Sequence, residues 1–311
     1  MKPLATALDE YLALRRALGH KLEWAGRLLR QFIAFADEAG ADFITADLAL
    51  SWATRRPTEA SPEWTRRLGV VRHFAQYCAA HDPRTVAPPR DLALRRYQRP
   101  TPYIYRDDEI ARLLDAAARL PSKIGLRPQT FTTLFGLYAV TGLRCREPLQ
   151  LDRHDVDWRN GVLTIRGAKF GKSRFVPLHP TTVEALRAYA ACRDRLCREP
   201  ESPSFFLSDR GARLTHWAVR ATFVSLSRRI GLRGPGDSRG PRLHDLRHRM
   251  AVNTLLRWYE EGIDVERRLP SLATYLGHAH ITDTYWYLTA TPELLQRAML
   301  RLDEPVSGPL P

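Results

Sequence analysis

The sequence predicts an all-helical N-terminal domain followed by a mixed, mainly α (α+β) domain that carries a small β-hairpin sheet. Three observations lead there. Apolar residues recur at three- and four-residue steps from Leu4 as far as Cys78, the period of one helix face. A basic stretch from Arg90 to Arg99 then lies among Pro83, Pro88, Pro89, Pro100 and Pro102. Beyond it, two short β-branched runs interrupt a chain that otherwise reads as helical. A chain of 311 residues has room for two such domains.

In the first domain, residues 1–95, Leu4, Leu8, Tyr11, Leu12 and Leu18 form one stripe. Leu22, Leu29, Phe32, Ile33 and Ala36 form a second, which ends at Gly40. Thr45 caps a short third helix through Leu48 and Trp52. Trp64, Leu68, Val71, Ala75 and Cys78 step along a fourth. The polar faces hold Arg15, Arg16, Lys21, Arg27, Arg30, Arg66, Arg67 and Arg72, read as outward-facing. Residues 96–103 read as a linker, because proline blocks helix continuation and stiffens the chain.

In the second domain, residues 104–311, Asp107 or Asp108 caps a helix through Ile110, Leu113, Leu114 and Ala117, and a further helix covers about 129–140. Val162, Leu163 and Ile165, then Phe175, Val176 and Leu178, flank a turn with Gly167, Lys169, Gly171 and Lys172, which predicts a hairpin. Helices resume over 181–198, 215–230, 244–259, 266–276 and 292–301. Residues 231–241 are glycine-rich but have neither Walker nor Rossmann spacing, and read as a connector.

Lys and Arg number 48 against 34 Asp and Glu, a net charge of +14. A protein this basic meets a polyanion, since each neutralised phosphate releases counterions. The longest uncharged run, Pro128 to Leu143, is 16 residues and contains threonines and Gln129, too short and polar to span a membrane. Asp9 and Glu10 interrupt any signal-like stretch. The four cysteines are scattered, with no CxxC pair. These features predict a cytoplasmic protein.

The second domain holds the reactive groups: Thr141-Gly-Leu-Arg144-Cys-Arg-Glu147, then Lys169 in the hairpin, then His244-Asp-Leu-Arg247-His248, Leu276-Gly-His278 and a tyrosine-rich run to Tyr287. Guanidinium forks bind phosphate oxygens and stabilise charge building on phosphorus. Lysine and histidine move protons, and a tyrosine hydroxyl is a covalent nucleophile. Taken singly, each piece has a plainer reading: surface arginines, a solvated turn lysine, core tyrosines. His244 and His248 have the i, i+4 spacing of metal ligands, but the zincin pattern needs Glu where this chain has Asp245.

Order and spacing change the balance. TGLRxxE, K-x-x-K-x-R-x-V-P-L from Lys169 to Leu178, H-x-L-R-H, L-G-H and a tyrosine nine residues beyond His278 together resemble the tyrosine recombinase or phage integrase family across about 104–300. The resemblance implies a site-specific DNA recombinase that forms a 3′-phosphotyrosine. Arg144 and Arg247 would bind phosphate, Lys169 would protonate the leaving 5′ oxygen, and His244 and His278 would assist at the phosphate. Tyr287 would be the nucleophile, and Glu147 would orient an arginine. It implies no cofactor and no metal. The helical domain would be the core-binding, SAM-like DNA-binding domain, and the two domains would form a C-shaped clamp. The partner would be double-stranded DNA with two half-sites, held by a homo-tetramer on two duplexes.

Two positions depart from the family's pattern. Pro148 follows Glu147, where a helix usually continues, and Tyr285 lies two residues before Tyr287 as a rival nucleophile; Thr284 favours Tyr287. His248 reads as a packing or orienting residue rather than a catalytic one. A type IB topoisomerase and a DNA-binding accessory protein with a silent site remain the alternatives. Leu294, Leu295, Ala298, Met299 and Leu302 form an apolar stripe after the nucleophile; its plainer reading is packing on its own domain, and the family resemblance implies docking into a neighbouring protomer.

Overall fold

The computed structural model describes residues 3–55, 62–90, 92, 101–167, 173–289 and 291–302. The chain forms two compact units, Met1–Pro100 and Thr101–Pro311. Most of the linker, the hairpin residues Lys169, Gly171 and Lys172, and the tail after 302 lie outside the described residues.

The first unit contains helices α1 (Leu4–Ala17), α2 (Glu23–Glu38), α3 (Ala46–Thr54) and α4 (Pro62–Ala79). Its core is made by the expected stripes: Leu8 and Leu12, Leu29, Phe32 and Ala36, Trp52, and Leu68, Val71 and Ala75. The Thr45 hydroxyl caps α3 by accepting from the Leu48 N–H at 3.1 Å. Three expectations need correcting. Leu18 is outside the core, because α1 ends one residue earlier and leaves it exposed. Arg67 faces inward, stacked over Trp52 at 4.0 Å with its guanidinium donating to the Trp52 carbonyl at 2.9 Å. Arg72 also has an internal partner, donating to the carbonyls of Pro88 and Pro89 at 2.6 and 2.7 Å.

The second unit contains α5 (Asp107–Ala118), α6 (Leu126–Thr141), α7 (Glu147–Gln150), β1 (Val156–Asp157), β2 (Val162–Ile165), β3 (Arg174–Pro177), α8 (Pro180–Leu196), α9 (His216–Arg229), α10 (Asp245–Glu260), α11 (Val265–Leu276), α12 (Thr282–Tyr285) and α13 (Pro292–Leu302). The three strands form an antiparallel sheet in the order β1-β2-β3, with Leu163 opposite Val176 and Ile165 opposite Arg174. Leu163, Ile165 and Val176 face inward and join Phe135, Tyr189, Phe205, Phe206 and Phe223 in the larger core. A second cluster gathers Val252, Leu255, Leu269, Leu272, Leu276, Tyr287 and Leu294 around α10 and α11.

Local chemistry explains the shifted boundaries. Asp107 and Asp108 lie inside α5, not before it; Glu109 receives the Arg106 N–H at 2.9 Å and closes the first turn. The helix expected near 129 starts at Leu126, because Gly125 supplies the left-handed turn (φ +82°) before it. Pro148 sits in the first turn of α7, where its missing N–H removes no bond. β1 was not expected, since two residues carry no periodicity. In α13, Leu294 is buried against its own unit, whereas Leu295 and Met299 are exposed. The predicted stripe is therefore split. No helix among the described residues is long and apolar enough to cross a membrane.

Candidate active site

Two glycines set the floor of the site. Gly142 ends α6 with φ +60° and Gly277 ends α11 with φ +71°, conformations that favour glycine. A Cβ at Gly142 would lie 3.3 Å from Leu276 and 3.5 Å from Arg247 Cγ. A Cβ at Gly277 would lie 2.8 Å from the Arg174 guanidinium. These turns bring carbonyls of both helix ends against the arginines. Arg247, buried in the first turn of α10, donates to Gly142 O and Leu276 O at 2.8 Å each. Arg144 donates to Gly277 O. The unsatisfied carbonyls at two helix C-termini thus hold both guanidiniums.

Glu147 fixes the next layer. It is buried, and its oxygens accept from the Arg144 N–H at 2.8 Å and the Arg144 Nη1 at 3.1 Å. Arg174 grips the same carboxylate with both Nη atoms at 2.8 Å, while its Nε donates to Tyr275 O at 3.0 Å. Burial pushes the Glu147 carboxyl up, but the Arg174 and Arg144 guanidiniums outweigh it and hold it below the usual value. Arg174 was missed as a site residue. Its only signal was the arginine of the K-x-x-K-x-R-x-V-P-L run.

Tyr287 lies in a 3-10 turn, Trp286–Thr289, which continues α12 and buries the phenol. Its ring stacks on His278 at 6.1 Å and 14°, and its hydroxyl lies 3.3 Å from His248 Nδ1. The Arg247 guanidinium interacts electrostatically with the same phenol. Thr284 orients His278, with its hydroxyl 2.7 Å from Nδ1. Tyr285 is 43% exposed, against the buried Tyr287. The His244 ring stands perpendicular to His248 at 4.9 Å. Burial, helped by Arg247, lowers its pKa to about 4, so the imidazole is neutral at pH 7.

The structure therefore gathers Arg144, Glu147, His244, Arg247, His278 and Tyr287, while Lys169 lies outside the described residues. It also places His248, between the Tyr287 hydroxyl on Nδ1 and Asp245 on Nε2, so both ring nitrogens face protein partners rather than a shared metal position. Among the described residues, Asp152, His154 and Asp155 bring possible ligand atoms within 4.8 Å of one another. Arg213 pairs with Asp152 and Arg166 with Asp155, so these carboxylates already have cationic partners.

A buried phenol against a paired arginine floor, on a helical unit with one small antiparallel sheet, defines a tyrosine-type site-specific recombinase. The phage integrase family model matches residues 104–293. The chain is 50% identical to the putative integrase/recombinase y4rB of Sinorhizobium fredii (strain NBRC 101917 / NGR234) over 97% of this chain and 98% of that one. It is 31% identical to the tyrosine recombinase XerC of Chlamydia caviae, over 74% of this chain and 68% of that one. A lambda integrase tetramer bound to a Holliday junction shares the fold, with TM-score 0.61 and 18% identity over 91% of this chain and 79% of that one. The chain belongs to the phage integrase family.

Proposed function

We propose that this recombinase cuts and rejoins double-stranded DNA through a 3′-phosphotyrosine at Tyr287. The observation that carries the reading is the Tyr287 hydroxyl held against Arg247 and His248 in the middle of the gathered groups. Arg144 and Arg247 bind the scissile phosphate and stabilise charge on the pentacoordinate phosphorus. His244, neutral, and His278 hydrogen-bond the phosphate oxygens; Lys169 protonates the departing 5′ oxygen. Glu147 orients Arg144. Storing the broken bond as a phosphotyrosine preserves its energy, so rejoining needs no nucleotide cofactor.

Residues 1–95 act as the core-binding domain and residues 104–311 as the catalytic domain, joined by 96–103 and closing as a clamp on each half-site. Four protomers act on two duplexes in the cytoplasm; the lambda integrase that shares this fold is a tetramer bound to a Holliday junction. The exposed Leu295 and Met299 of α13 supply a contact between protomers. Truncation after Thr291 should leave half-site binding but remove cooperative assembly and strand exchange. Covalent trapping tests the chemistry. A nicked suicide duplex, selected from random DNA by binding, should give a protein–DNA adduct with the intact chain and none with Tyr287→Phe. Relaxation of supercoiled plasmids with no site requirement would instead mark a topoisomerase.

A further inference from the structure

A phenol with a pKa near ~10 holds its proton at neutral pH, so attack by Tyr287 needs somewhere for that proton to go. Arg247 bears on the phenol through its charge, and a guanidinium accepts no proton. The hydroxyl lies 3.3 Å from His248 Nδ1, within reach for its hydrogen to be donated to that nitrogen. For Nδ1 to accept, the His248 ring carries its hydrogen on Nε2. That nitrogen faces Asp245 Oδ1 at 3.9 Å, so a proton gained on Nδ1 places its charge beside a carboxylate. Asp245 is buried and accepts from Arg242 at 2.7 and 2.8 Å, which fixes the position of its carboxylate. His248 and Asp245 share the first turn of α10 with Arg247, so the arrangement moves as one piece with the phosphate-binding group.

We propose that His248 is the general base that accepts the Tyr287 proton, positioned by Asp245; this rests on Tyr287 being the nucleophile. In cleavage the hydroxyl proton passes to His248 Nδ1 and the freed oxygen pair bonds to phosphorus. The bond from phosphorus to the 5′ oxygen breaks, and that oxygen leaves with a proton from the acid side of the site. In rejoining, the 5′ hydroxyl returns its proton to that acid as it attacks. The phosphotyrosine bond breaks, and His248 Nδ1 gives the departing phenolate its proton back. His248 thus acts in both directions without net consumption of protons.

Packing alone would also bury His248 between Tyr287 and Trp286, and the experiment separates the two roles. His248→Asn keeps an acceptor near the Nδ1 position but cannot hold a proton. Single-turnover adduct formation on the selected suicide duplex should slow by about 100-fold or more, the usual contribution of a general base. DNA affinity should remain within about twofold, since the phosphate-backbone contacts are untouched. Replacing Tyr287 by 3,5-difluorotyrosine lowers the phenol pKa and should restore at least about tenfold in the Asn variant, because a more acidic nucleophile needs less base. Full-rate cleavage by His248→Asn, or slowing that the fluorines leave unchanged, would overturn the proposal. If the Asn variant fails to bind DNA, the intact protein carries the test. A slowing in deuterated solvent that fluorination abolishes supports the base; one that fluorination leaves unchanged overturns it. An adduct formed by Tyr287→Phe would instead sink the nucleophile assignment beneath it.

Discussion

On one side of the site, Arg144, Glu147 and Arg174 are fixed by short charge-assisted hydrogen bonds to each other and to helix-end carbonyls. On the other, Tyr287 is held by ring packing on His278 and Trp286 and a 3.3 Å contact to His248. The ionic side is preorganised, since moving one guanidinium breaks several strong bonds in a buried setting. The aromatic side is held by weaker, less directional contacts. A phosphodiester has to reach the buried phenol, so the weaker side is the one that can rearrange.

The comparison breaks most visibly at the nucleophile. Tyr287→Phe removes only a hydroxyl, and covalent adduct formation should vanish while DNA binding persists. Tyr285→Phe, outside the packed turn, should cleave normally. An adduct lost in the second variant and kept in the first would move the nucleophile to Tyr285.

Next comes the arginine floor. Arg247→Ala should lower the cleavage rate by about 10²–10³, the effect of losing one preorganised oxyanion donor, with a smaller loss of DNA affinity. Equal losses of rate and affinity would mean that Arg247 only binds. Stability then sharpens the contrast. Glu147→Gln leaves Arg144 and Arg174 facing each other without a carboxylate and should cost about 3–5 kcal/mol by denaturant unfolding. Thr284→Ala deletes one hydrogen bond on the aromatic side and should cost about 1 kcal/mol. Similar costs would show that the two sides are equally braced.

Acid gives the smallest effect and an order of failure. The unfolded chain protonates His244 near pH 6.5, whereas the folded chain resists until about 4, so stability falls as pH drops through that window. Glu147 is held below the usual carboxylate value, so its contribution, present above about pH 4.5, is lost only as pH falls further. Melting temperatures of His244→Asn and the intact chain should therefore diverge less at pH 5 than at pH 7, if the variant pays a packing penalty at neutral pH. An unchanged difference across that range would mean His244 titrates normally.

Much of the helical scaffold was legible because burial imposes period: Leu8, Leu12, Leu29, Phe32, Val71 and Ala75 recur on their helix faces and meet in the core. Leu18 misled because a stripe continues in sequence after its helix has stopped. Arg67 misled because its stacking partner, Trp52, lies on another helix. The local motifs identified which reactive side chains to examine. They did not reveal that His248 meets Tyr287, 39 positions away, or that Arg174 spans Glu147 and the end of α11. Those pairings arise only when β3, α7, α10 and α11 are brought together.

The left-handed glycines at 142 and 277 give the short motifs a second meaning. Each glycine stands one or two positions from a reactive side chain because a helix must stop there and turn its last carbonyls toward a cation. The letters flanking Arg144 and His278 therefore encode geometry, while the arginines and histidines encode reactivity, and the two can be lost independently. A descendant that exchanged Arg144 for an uncharged residue but kept Gly142 and Gly277 would retain the cradle and forfeit the reaction. One that kept every reactive residue and replaced Gly277 would drive a methyl group into the Arg174 guanidinium and misalign the set. Degenerate copies of such a gene can be sorted on that basis into silent binders with an intact frame and collapsed ones without it.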